Sequence, residues 1–389
     1  PTKQDQIAFL GDNGLIQAEL VEFAGEKFRP GDSDTAQAAA EALGFKVLNV
    51  KRINDPKGKG AAANRVVLEG EIADTSAVTV DSLSQRERTS KPPAPFTTAT
   101  LQQAASTKLH FAVSRTMRTA QGLYEGVDIP GEGTTGLITY MRTDSRHVSQ
   151  DAINSARSHI GSSFGPNYLP EKPNYYSSGQ RAQEAHEAVR PTDPTRTPES
   201  LKDILSNEQY RLYDLIWKQF IACQMLPARW NVTEARLIKA TDRGEAVFRA
   251  VGQTLIFDGF MKVAGIPKAK DAILPPLEEA QGLYPVDITP TQHFTQPPAR
   301  YTEAALVKAL EAEGIGRPST YGSIINTIQD RKYVELENRA LMPTELGLIV
   351  TDRLVKHFPD ILNVQFTAQM ENDLDRIEDE GLDWVALLK

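Results

Sequence analysis

The sequence predicts a multidomain α+β protein. Its 389 residues exceed what one compact core usually contains, so two or three domains are expected. Short apolar or alternating runs bounded by Gly, Asp and Pro occupy residues 1–90 and return after Pro227, which is typical of β-strands. Helical spacing of apolar residues dominates from Thr97 to Met225 and again from Thr302 onward. This β, α, β, α order indicates that a helical domain interrupts a strand-rich one.

The strand-rich character of residues 1–90 comes from three runs, Leu15–Val21, Phe45–Val50 and Arg65–Gly70. The glycines and proline of Asp55–Gly60 predict a loop between the last two runs. Composition changes at Lys91–Pro95, where three prolines restrict the backbone. We expect this stretch to be the rigid entry to the helical domain.

The later elements follow from periodicity. Helices are predicted within Thr97–Glu125, at Gln150–Ile160 and at Leu201–Met225. Strands are predicted at Trp230–Ile238 and Ala246–Val251, with a turn at Asp242–Gly244. No internal repeat is visible, so the chain is not a repeat array.

Charge gives a mixed indication about nucleic acid. The net charge of −8 argues against a phosphate-binding protein, because such proteins usually carry a basic surface. The stretch between Ser84 and Ala120, however, contains six basic residues and one acidic residue. A helical face carrying Arg115 and Arg118 is more often a solvated surface than a binding one, so both interpretations stay open.

The single cysteine, Cys223, allows neither an internal disulfide nor a Cys-type zinc site, which fits a reducing cytoplasm. Its apolar neighbours predict a buried thiol. No apolar stretch approaches the about 18 residues of a membrane span, and no signal peptide opens the sequence. The first residue is Pro rather than Met, so we expect a piece of a longer polypeptide.

The stretch Gly136–Ser145 (GLITYMRTDS) combines a phenol and a guanidinium at a spacing of two residues. In an extended backbone, Tyr140 and Arg142 project to the same side. A nucleophile would then lie beside a group that grips phosphate with two parallel hydrogen bonds. The alternative is an ordinary strand end with a half-buried tyrosine and a solvated arginine.

Gly131–Gly136 matches G-x-G-x-x-G, but a helix precedes it and a strand-like run follows, so a flexible loop that delivers Tyr140 is predicted instead of a dinucleotide site. His186–Arg190 (HEAVR) begins like a zinc helix, yet Arg190 replaces the second histidine. On a helical turn, His186 and Arg190 could present two donors to one phosphate. An isolated surface pair is the alternative.

Gly314–Tyr321 (GIGRPSTY) precedes a helical run. Pro318 suits a first helical turn, and Ser319 and Thr320 suit a cap. A capped helix start next to Arg317 predicts an anion site, although capping alone explains the same residues. No G-x-x-x-x-G-K-[ST] sequence or serine nucleophile elbow occurs, so nothing indicates nucleotide hydrolysis.

Together these blocks resemble the sequence motifs of the type IA DNA topoisomerases. Met141, between Tyr140 and Arg142, resembles the residue found at this position in their bacterial topoisomerase I branch. Five blocks occur in the order expected for that family: Lys91–Phe96 with Thr100–Ala105, Ile138–Ser145, Glu184–Thr192, Gly314–Tyr321 and Phe366–Glu371. The resemblance therefore covers residues 91–389.

The resemblance implies a toroidal gate, in which a β-rich arch carries a helical tyrosine domain. On this chain the arch is expected at residues 1–90 and 228–299, with the tyrosine domain at 91–227. Residues 300–389 are then part of a helical base that binds single-stranded DNA. A monomer without membrane contact is expected.

The resemblance also implies a mechanism. Tyr140 attacks a single-strand phosphodiester and forms a 5′-phosphotyrosine, while Arg142 stabilises charge on the phosphate. DNA-binding roles are expected for Asp144, His186, Arg190, Arg317, Ser319 and Thr320. Negatively supercoiled DNA is thereby relaxed without ATP.

The chain departs from the family pattern because no Toprim domain, which carries the Mg²⁺ ligands of the family, is recognisable in it. We therefore expect Mg²⁺ in the full enzyme, no zinc in this chain, and weak or absent cleavage by the chain alone. A non-catalytic relative that only binds single-stranded DNA is the first alternative. A structural module without DNA contact is the second.

Overall fold

The computed structural model describes residues 2–56, 58, 60–178, 186–267 and 273–388. Its helices are α1 (Lys3–Asp12), α2 (Ser33–Ala42), α3 (Thr98–Ala104), α4 (Val113–Glu125), α5 (Gln150–Ser163), α6 (Asn207–Cys223), α7 (Met261–Ala264), α8 (Glu303–Glu313), α9 (Tyr321–Asp330), α10 (Glu345–His357), α11 (Val364–Glu380) and α12 (Trp384–Leu388). Its strands are β1 (Glu19–Phe23), β2 (Glu26–Lys27), β3 (Phe45–Asn54), β4 (Asn64–Ile72), β5 (Val78–Ser90), β6 (Val127–Ile129), β7 (Gly133–Thr135), β8 (Ala228–Thr241), β9 (Gly244–Phe257), β10 (Gly282–Leu283), β11 (Val334–Glu337) and β12 (Ala340–Pro343).

The predicted α+β class is confirmed. The chain divides into two compact units, the first made of Pro1–Ser90, Ala228–Asp258 and Ile266–Pro297. The second unit is made of Lys91–Pro227, Gly259–Gly265 and Pro298–Lys389. The helical stretch therefore interrupts the strand-rich unit.

The first unit is organised around a six-stranded antiparallel sheet with the order β10-β5-β8-β9-β1-β2. Strands β8 and β9 form its long central hairpin, whose turn pairs Thr241 with Gly244. Residues of β8 alternate between buried and more exposed positions, as expected for a sheet with one covered face. Strands β3 and β4 form a separate two-stranded ribbon.

Residues 1–90 are less purely β than predicted, because they also contain α1 and α2. The predicted strand Leu15–Val21 begins only at Glu19. Helix α2 starts after Asp32, whose carboxylate accepts a hydrogen bond from the Thr35 N–H at 2.8 Å. The other strand runs lie inside longer strands, β3 and β4.

The second unit packs its helices around α6. The buried side of α6 supplies Leu212, Tyr213, Ile216 and Phe220 to one apolar core shared with α3, α4 and α5. A smaller core of Ala99, Val113, Val307, Tyr321 and Ile325 joins α3 and α4 to α8 and α9. The helix predictions at Gln150–Ile160 and within Leu201–Met225 are confirmed.

The region after Thr302 is not helical throughout, because β11 and β12 form a hairpin between α9 and α10. Cys223 is buried, as predicted, and burial raises the pKa of its thiol to about 12. Within the described ranges, none of the helices has the length and apolar character needed to cross a bilayer.

Candidate functional site

The Tyr140 segment (residues 136–145) bends at Met141, and its burial alternates from Tyr140 to Ser145. The Tyr140 side chain is 41% exposed, whereas Met141, Thr143 and Ser145 are almost fully buried. Arg142 is exposed as well. Tyr140 and Arg142 are therefore both exposed, on either side of the buried Met141.

The predicted strand at this segment is reduced to a single β-bridge between Ile138 and Pro191. Across this bridge, the Thr139 N–H donates to the Arg190 carbonyl at 2.9 Å, and the Arg190 N–H donates to the Thr139 hydroxyl at 3.0 Å. The Thr192 N–H donates to the Leu137 carbonyl at 3.0 Å. The stretch that contains His186 and Arg190 is thus the antiparallel partner of the Tyr140 segment.

Thr98, the first residue of α3, fixes the backbone on both sides of Arg142. Its hydroxyl donates to the Met141 carbonyl at 2.6 Å and accepts from the Thr143 N–H at 2.8 Å. Its own N–H donates to the Thr143 carbonyl at 2.8 Å. Because Thr98 is fully buried, these bonds are shielded from water and hold Arg142 on a well-defined backbone.

Tyr124, near the end of α4, supports the ring of Tyr140. The two rings meet edge to face, with centroids 5.2 Å apart and planes inclined by 63°. The backbones also meet nearby, since the Leu137 N–H donates to the Leu123 carbonyl at 2.8 Å. The C-terminal end of α4 therefore orients the candidate nucleophile.

Gly136 makes this close approach possible. A Cβ atom at position 136 would lie 2.8 Å from the carbonyl oxygen of Tyr124, a backbone atom that cannot move aside easily. We expect Gly136→Ala to lower the free energy of unfolding by about 1–3 kcal/mol. Urea titration followed by circular dichroism measures this change.

Gly122→Ala on α4 is the matched control for Gly136→Ala. A Cβ atom there meets only the Gln209 Nε2 atom, at 3.6 Å. Alanine is also the better helix former, so the free energy of unfolding should stay the same or rise by up to about 1 kcal/mol. Equal effects of the two substitutions would contradict the proposed close approach at Gly136.

The predicted flexible loop at Gly131–Gly136 is instead part of a hairpin, because β6 pairs with β7 in the register Ile129–Gly133. Helix α4 precedes this hairpin, as predicted. The glycine pattern consequently serves a tight turn, with Gly131 and Gly133 both at positive φ. A helix N-terminus that could hold a dinucleotide does not follow.

The helical turn considered as one possibility for His186–Arg190 does not form, because this stretch is non-helical and takes part in antiparallel bridges. The Arg190 side chain is 11% exposed and its Nε atom lies 2.5 Å from Glu187 Oε2. Burial would raise the pKa of the Glu187 carboxyl, but the hydrogen bond and charge of Arg190 lower it below the ordinary value. Arg190 therefore stabilises the stretch in which it lies through its ion pair with Glu187. The His186 residue is half-buried.

Arg317 lies among carboxylates of α11. Its guanidinium is 3.1 Å from Glu371 and 2.6 Å from Asp375, and it also donates to the Glu371 carbonyl at 3.1 Å. The Gly316 N–H donates to Glu371 Oε1 at 3.0 Å. Two blocks about 50 residues apart in sequence, Gly314–Tyr321 and Phe366–Glu371, are thereby brought together.

The predicted cap at Ser319 and Thr320 differs in detail. Helix α9 begins at Tyr321, so Pro318 lies in the preceding turn and not in the first helical turn. Thr320 occupies the N-cap position, but its hydroxyl accepts from the Arg317 N–H at 2.8 Å and caps no helical N–H. Both Ser319 and Thr320 are exposed.

Asp144 connects the Tyr140 segment electrostatically to the start of α9. Burial, with the charge of Glu311 next in importance, raises the pKa of Tyr321 to about 12, and Asp144 contributes to this rise. Burial also raises the pKa of Glu311, where the charge of Asp144 adds to the rise and Arg146 opposes it. Asp144 therefore lies near the α8–α9 junction that presents Arg317.

The structure thus pairs the His186–Arg190 stretch with the Tyr140 segment and places Asp144 near Tyr321. The side chains of Arg190 and Arg317 form ion pairs with protein carboxylates. Sequence reasoning missed Thr98 and Tyr124, which fix the backbone and the ring of the site. For Tyr124, its position at the end of the helix that precedes the Tyr140 segment could have indicated a contact with Tyr140. Within the described part of the chain, the Tyr140 hydroxyl and the Arg142 guanidinium have no hydrogen-bonding partner.

The described residues do not form a recognisable metal site. Among them, no three His, Cys, Asp or Glu side chains are grouped as a metal ion requires. The groups that the site presents to solvent are the Tyr140 phenol and the Arg142 guanidinium.

Comparison with known proteins shows the family to which the chain belongs. A family model described as DNA topoisomerase matches residues 27–389. DNA topoisomerase 1 of Escherichia coli is 45% identical over 374 residues, which are 96% of this chain and 41% of the relative. The Salmonella typhimurium protein is 44% identical with the same coverage, and the Rickettsia felis protein is 49% identical over 79% of this chain and 40% of its own.

A solved structure shows the same fold. Full-length topoisomerase I from Thermotoga maritima superposes with a TM-score of 0.74 at 35% identity, over 94% of this chain and 53% of its own. The chain spans about two fifths of the length of the curated relatives it matches. Because the family model covers nearly all of the sequence, the chain belongs to the bacterial type IA DNA topoisomerases.

Proposed function

We propose that this chain is the part of a type IA topoisomerase that carries the nucleophile, and that the whole protein relaxes negatively supercoiled DNA. The observation that carries this proposal is the pairing of exposed Tyr140 and Arg142 on an anchored backbone, in a chain of this family. The Tyr140 oxygen attacks a phosphodiester of one strand. The P–O bond to the 3′ sugar oxygen breaks, and a 5′-phosphotyrosine forms.

Arg142 stabilises the negative charge that grows on the attacked phosphate. Its guanidinium can form two parallel hydrogen bonds with phosphate oxygens, and no described protein group competes for it. The covalent ester conserves the energy of the broken bond. The 3′ hydroxyl can therefore attack it again after strand passage, which explains why no ATP is expected.

The remaining proposed contacts come from the start of α9 and from the stretch paired with the Tyr140 segment. Exposed Ser319 and Thr320, at the start of α9, are proposed to donate to a neighbouring phosphate. His186, on the paired stretch, is proposed to hold another part of the strand. Arg190, Arg317 and Asp144 are proposed to act on DNA largely by keeping these two groups in place, given their contacts with protein carboxylates or helices.

The experiment that tests this function locates the covalent bond. The chain is joined to the remaining segments of its Escherichia coli relative and incubated with a single-stranded oligonucleotide. After denaturation and digestion, mass spectrometry should find a nucleotide on the peptide that contains Tyr140. A nucleotide on another residue would overturn the assignment, and no adduct under any metal condition would favour the second candidate.

The second candidate is a protein that binds single strands without cleaving them. The chain alone should then bind a single-stranded oligonucleotide but not nick it when Mg²⁺ is added. Nicking by the full-length chimaera would rule this candidate out.

We also propose the domain division stated above, with an arch at residues 1–90 and 228–299, a tyrosine domain at 91–227 and a partial base at 300–389. The division of the chain into two units supports it. Dependence on Mg²⁺, independence of ATP, a monomeric state and a cytoplasmic location stay predictions.

Tyr124 should affect the rate of cleavage through its contact with the Tyr140 ring. Tyr124→Leu removes an edge-to-face pair that contributes about 0.5–1.5 kcal/mol, so cleavage should slow about three- to tenfold. Tyr124→Phe keeps the ring and should retain nearly the full rate. Single-turnover cleavage of a labelled oligonucleotide by the chimaera, with affinity measured separately, distinguishes this from weaker DNA binding.

Equal losses for Tyr124→Leu and Tyr124→Phe would show that the phenol oxygen, and not the ring contact, is what matters. Unchanged cleavage by Tyr124→Leu would show that Tyr140 needs no support from α4.

A further inference from the structure

Basic side chains from three separate segments gather near the N-terminal ends of α4 and α6. This basic patch consists of His110, Arg115, Arg118, Arg211 and Arg339. All five residues belong to the second unit, and four of them are exposed while Arg211 is half-buried. None of them takes part in the site at Tyr140.

Phe111 organises the centre of the basic patch. The guanidinium of Arg115 lies 4.4 Å from the centre of the Phe111 ring, and that of Arg211 lies 5.2 Å from it. Arg211 also donates to the Leu109 carbonyl at 3.0 Å. These contacts hold two positive charges against one apolar ring, although like charges repel.

Among the described residues, Glu208 is the one carboxylate that forms an ion pair with a residue of the basic patch, and that residue is Arg115. The hydrogen bond from Arg115 and the charges of Arg115, Arg118 and Arg211 lower the pKa of Glu208. Three guanidinium groups, those of Arg115, Arg118 and Arg211, thus lie near this carboxylate, in a chain whose net charge is −8. The repulsion that remains would be relieved by a partner with several negative charges.

The backbone around the patch is strained. His110 and Arg339 both adopt left-handed conformations, with φ of 60° and 68°, although neither is a glycine. Their side chains meet, with Arg339 Nη1 2.5 Å from His110 Nδ1. His110 directly follows a π-helical turn, Ala105–Leu109, a distortion that often marks functional sites.

The patch is separate from the cleavage site. Arg115 precedes Tyr124 by nine residues on α4, which places it about 13 Å away along the axis and about half a turn around it. Arg115 therefore faces away from the side of α4 that supports Tyr140. The strand that is cut and a ligand of the patch would occupy different faces of this helix.

The chemistry of the patch favours duplex over single-stranded nucleic acid. Proteins that hold single strands stack the bases on exposed aromatic rings. Here the aromatic ring is Phe111, which is 2% exposed and covered by two arginines. Guanidinium groups without a stacking surface can bind the phosphates of a duplex independently of sequence.

We propose that the basic patch binds the sugar–phosphate backbone of duplex DNA as a second DNA contact, apart from the strand held at Tyr140. This inference rests on the proposed function, because it takes DNA as the partner. It adds a surface for a double-stranded segment next to the cleaved strand.

The test compares duplex and single-strand affinity of the full 389-residue chain. Fluorescence anisotropy is recorded with a labelled 24-base-pair duplex and a 24-nucleotide single strand of mixed sequence, over a range of salt concentrations. The test variant combines Arg118→Ala, on an exposed helix position, with Arg339→Gly. Glycine suits the left-handed conformation at position 339, so the hairpin should keep its fold.

We expect the variant to bind the duplex at least about tenfold more weakly, with the slope of log affinity against log salt reduced by about two. Single-strand affinity should change less than about twofold. A control that removes two other exposed charges of the same unit, Lys172→Ala with Arg353→Ala, should leave the duplex slope unchanged.

Unchanged duplex affinity of the variant, or equal losses for duplex and single strand, would overturn the inference. Binding of the single strand but not of the duplex by the wild-type chain would also overturn it and leave the proposed function intact. Binding of neither would instead count against the proposed function.

Discussion

Tyr140→Phe is expected to abolish the covalent adduct between protein and DNA. Phenylalanine keeps the ring that packs against Tyr124 and removes only the oxygen that attacks the phosphate. Removal of a catalytic nucleophile typically costs at least about 10⁴-fold in rate. The measurement is the yield of denaturation-resistant adduct formed by the chimaera with a labelled oligonucleotide.

Tyr175→Phe is the matched control for this substitution. Tyr175 is a more exposed tyrosine of the same unit, and its hydroxyl donates to Gln150 Oε1 at 3.2 Å. Its loss should leave the adduct unchanged. An adduct that persists in Tyr140→Phe would remove Tyr140 from the mechanism, whereas equal oligonucleotide affinity of wild type and variant would confirm that binding is intact.

Arg142→Ala is expected to lose cleavage far more than binding. The guanidinium interacts most strongly with the phosphate when extra negative charge develops on it, so its removal should slow cleavage about 10²- to 10³-fold. Affinity for the uncut oligonucleotide should fall less than about tenfold. Single-turnover cleavage at saturating enzyme, together with anisotropy titration, separates the two effects.

Arg142→Lys refines this prediction. Lysine keeps the charge but not the planar fork, so an intermediate rate is expected if two parallel hydrogen bonds to the phosphate matter. Full activity of the lysine variant would mean that charge alone suffices. Equal losses of rate and affinity in Arg142→Ala would mean that the residue only docks the strand.

The sequence does not show that the chain bends at Met141. The exposure of both Tyr140 and Arg142 could nevertheless be predicted, because alternate residues of an extended chain share one face. The burial of Met141 and Thr143 between and after them agrees with this. The sequence could not supply the bonds from Thr98, because Thr98 lies more than 40 residues earlier in the chain.

The environment of Arg317 was unpredictable for the same reason. Its carboxylate partners lie 54 and 58 residues further on, and an arginine next to a helix start looks like an anion site when those partners are unknown. The non-helical course of His186–Arg190 could not be predicted either, because its antiparallel pairing with the Tyr140 segment is also long-range.

Helices α1 and α2 were missed for different reasons. Helix α1 has no clear apolar stripe in its sequence, so periodicity could not reveal it. Helix α2 did carry signals, since Asp32 caps it and alanines fill it. Its short length between strand-like runs hid them.

The double anchoring of the Tyr140 segment has a mechanical consequence. A pulling force on a DNA end joined to Tyr140 would be transmitted through hydrogen bonds to Thr98 and, at the same time, to the stretch around Arg190. The load would be shared by hydrogen bonds that must break together, so the segment should resist being peeled away. The cut end could then be carried apart only by moving the helical core as a whole, with the phosphate kept in register for resealing.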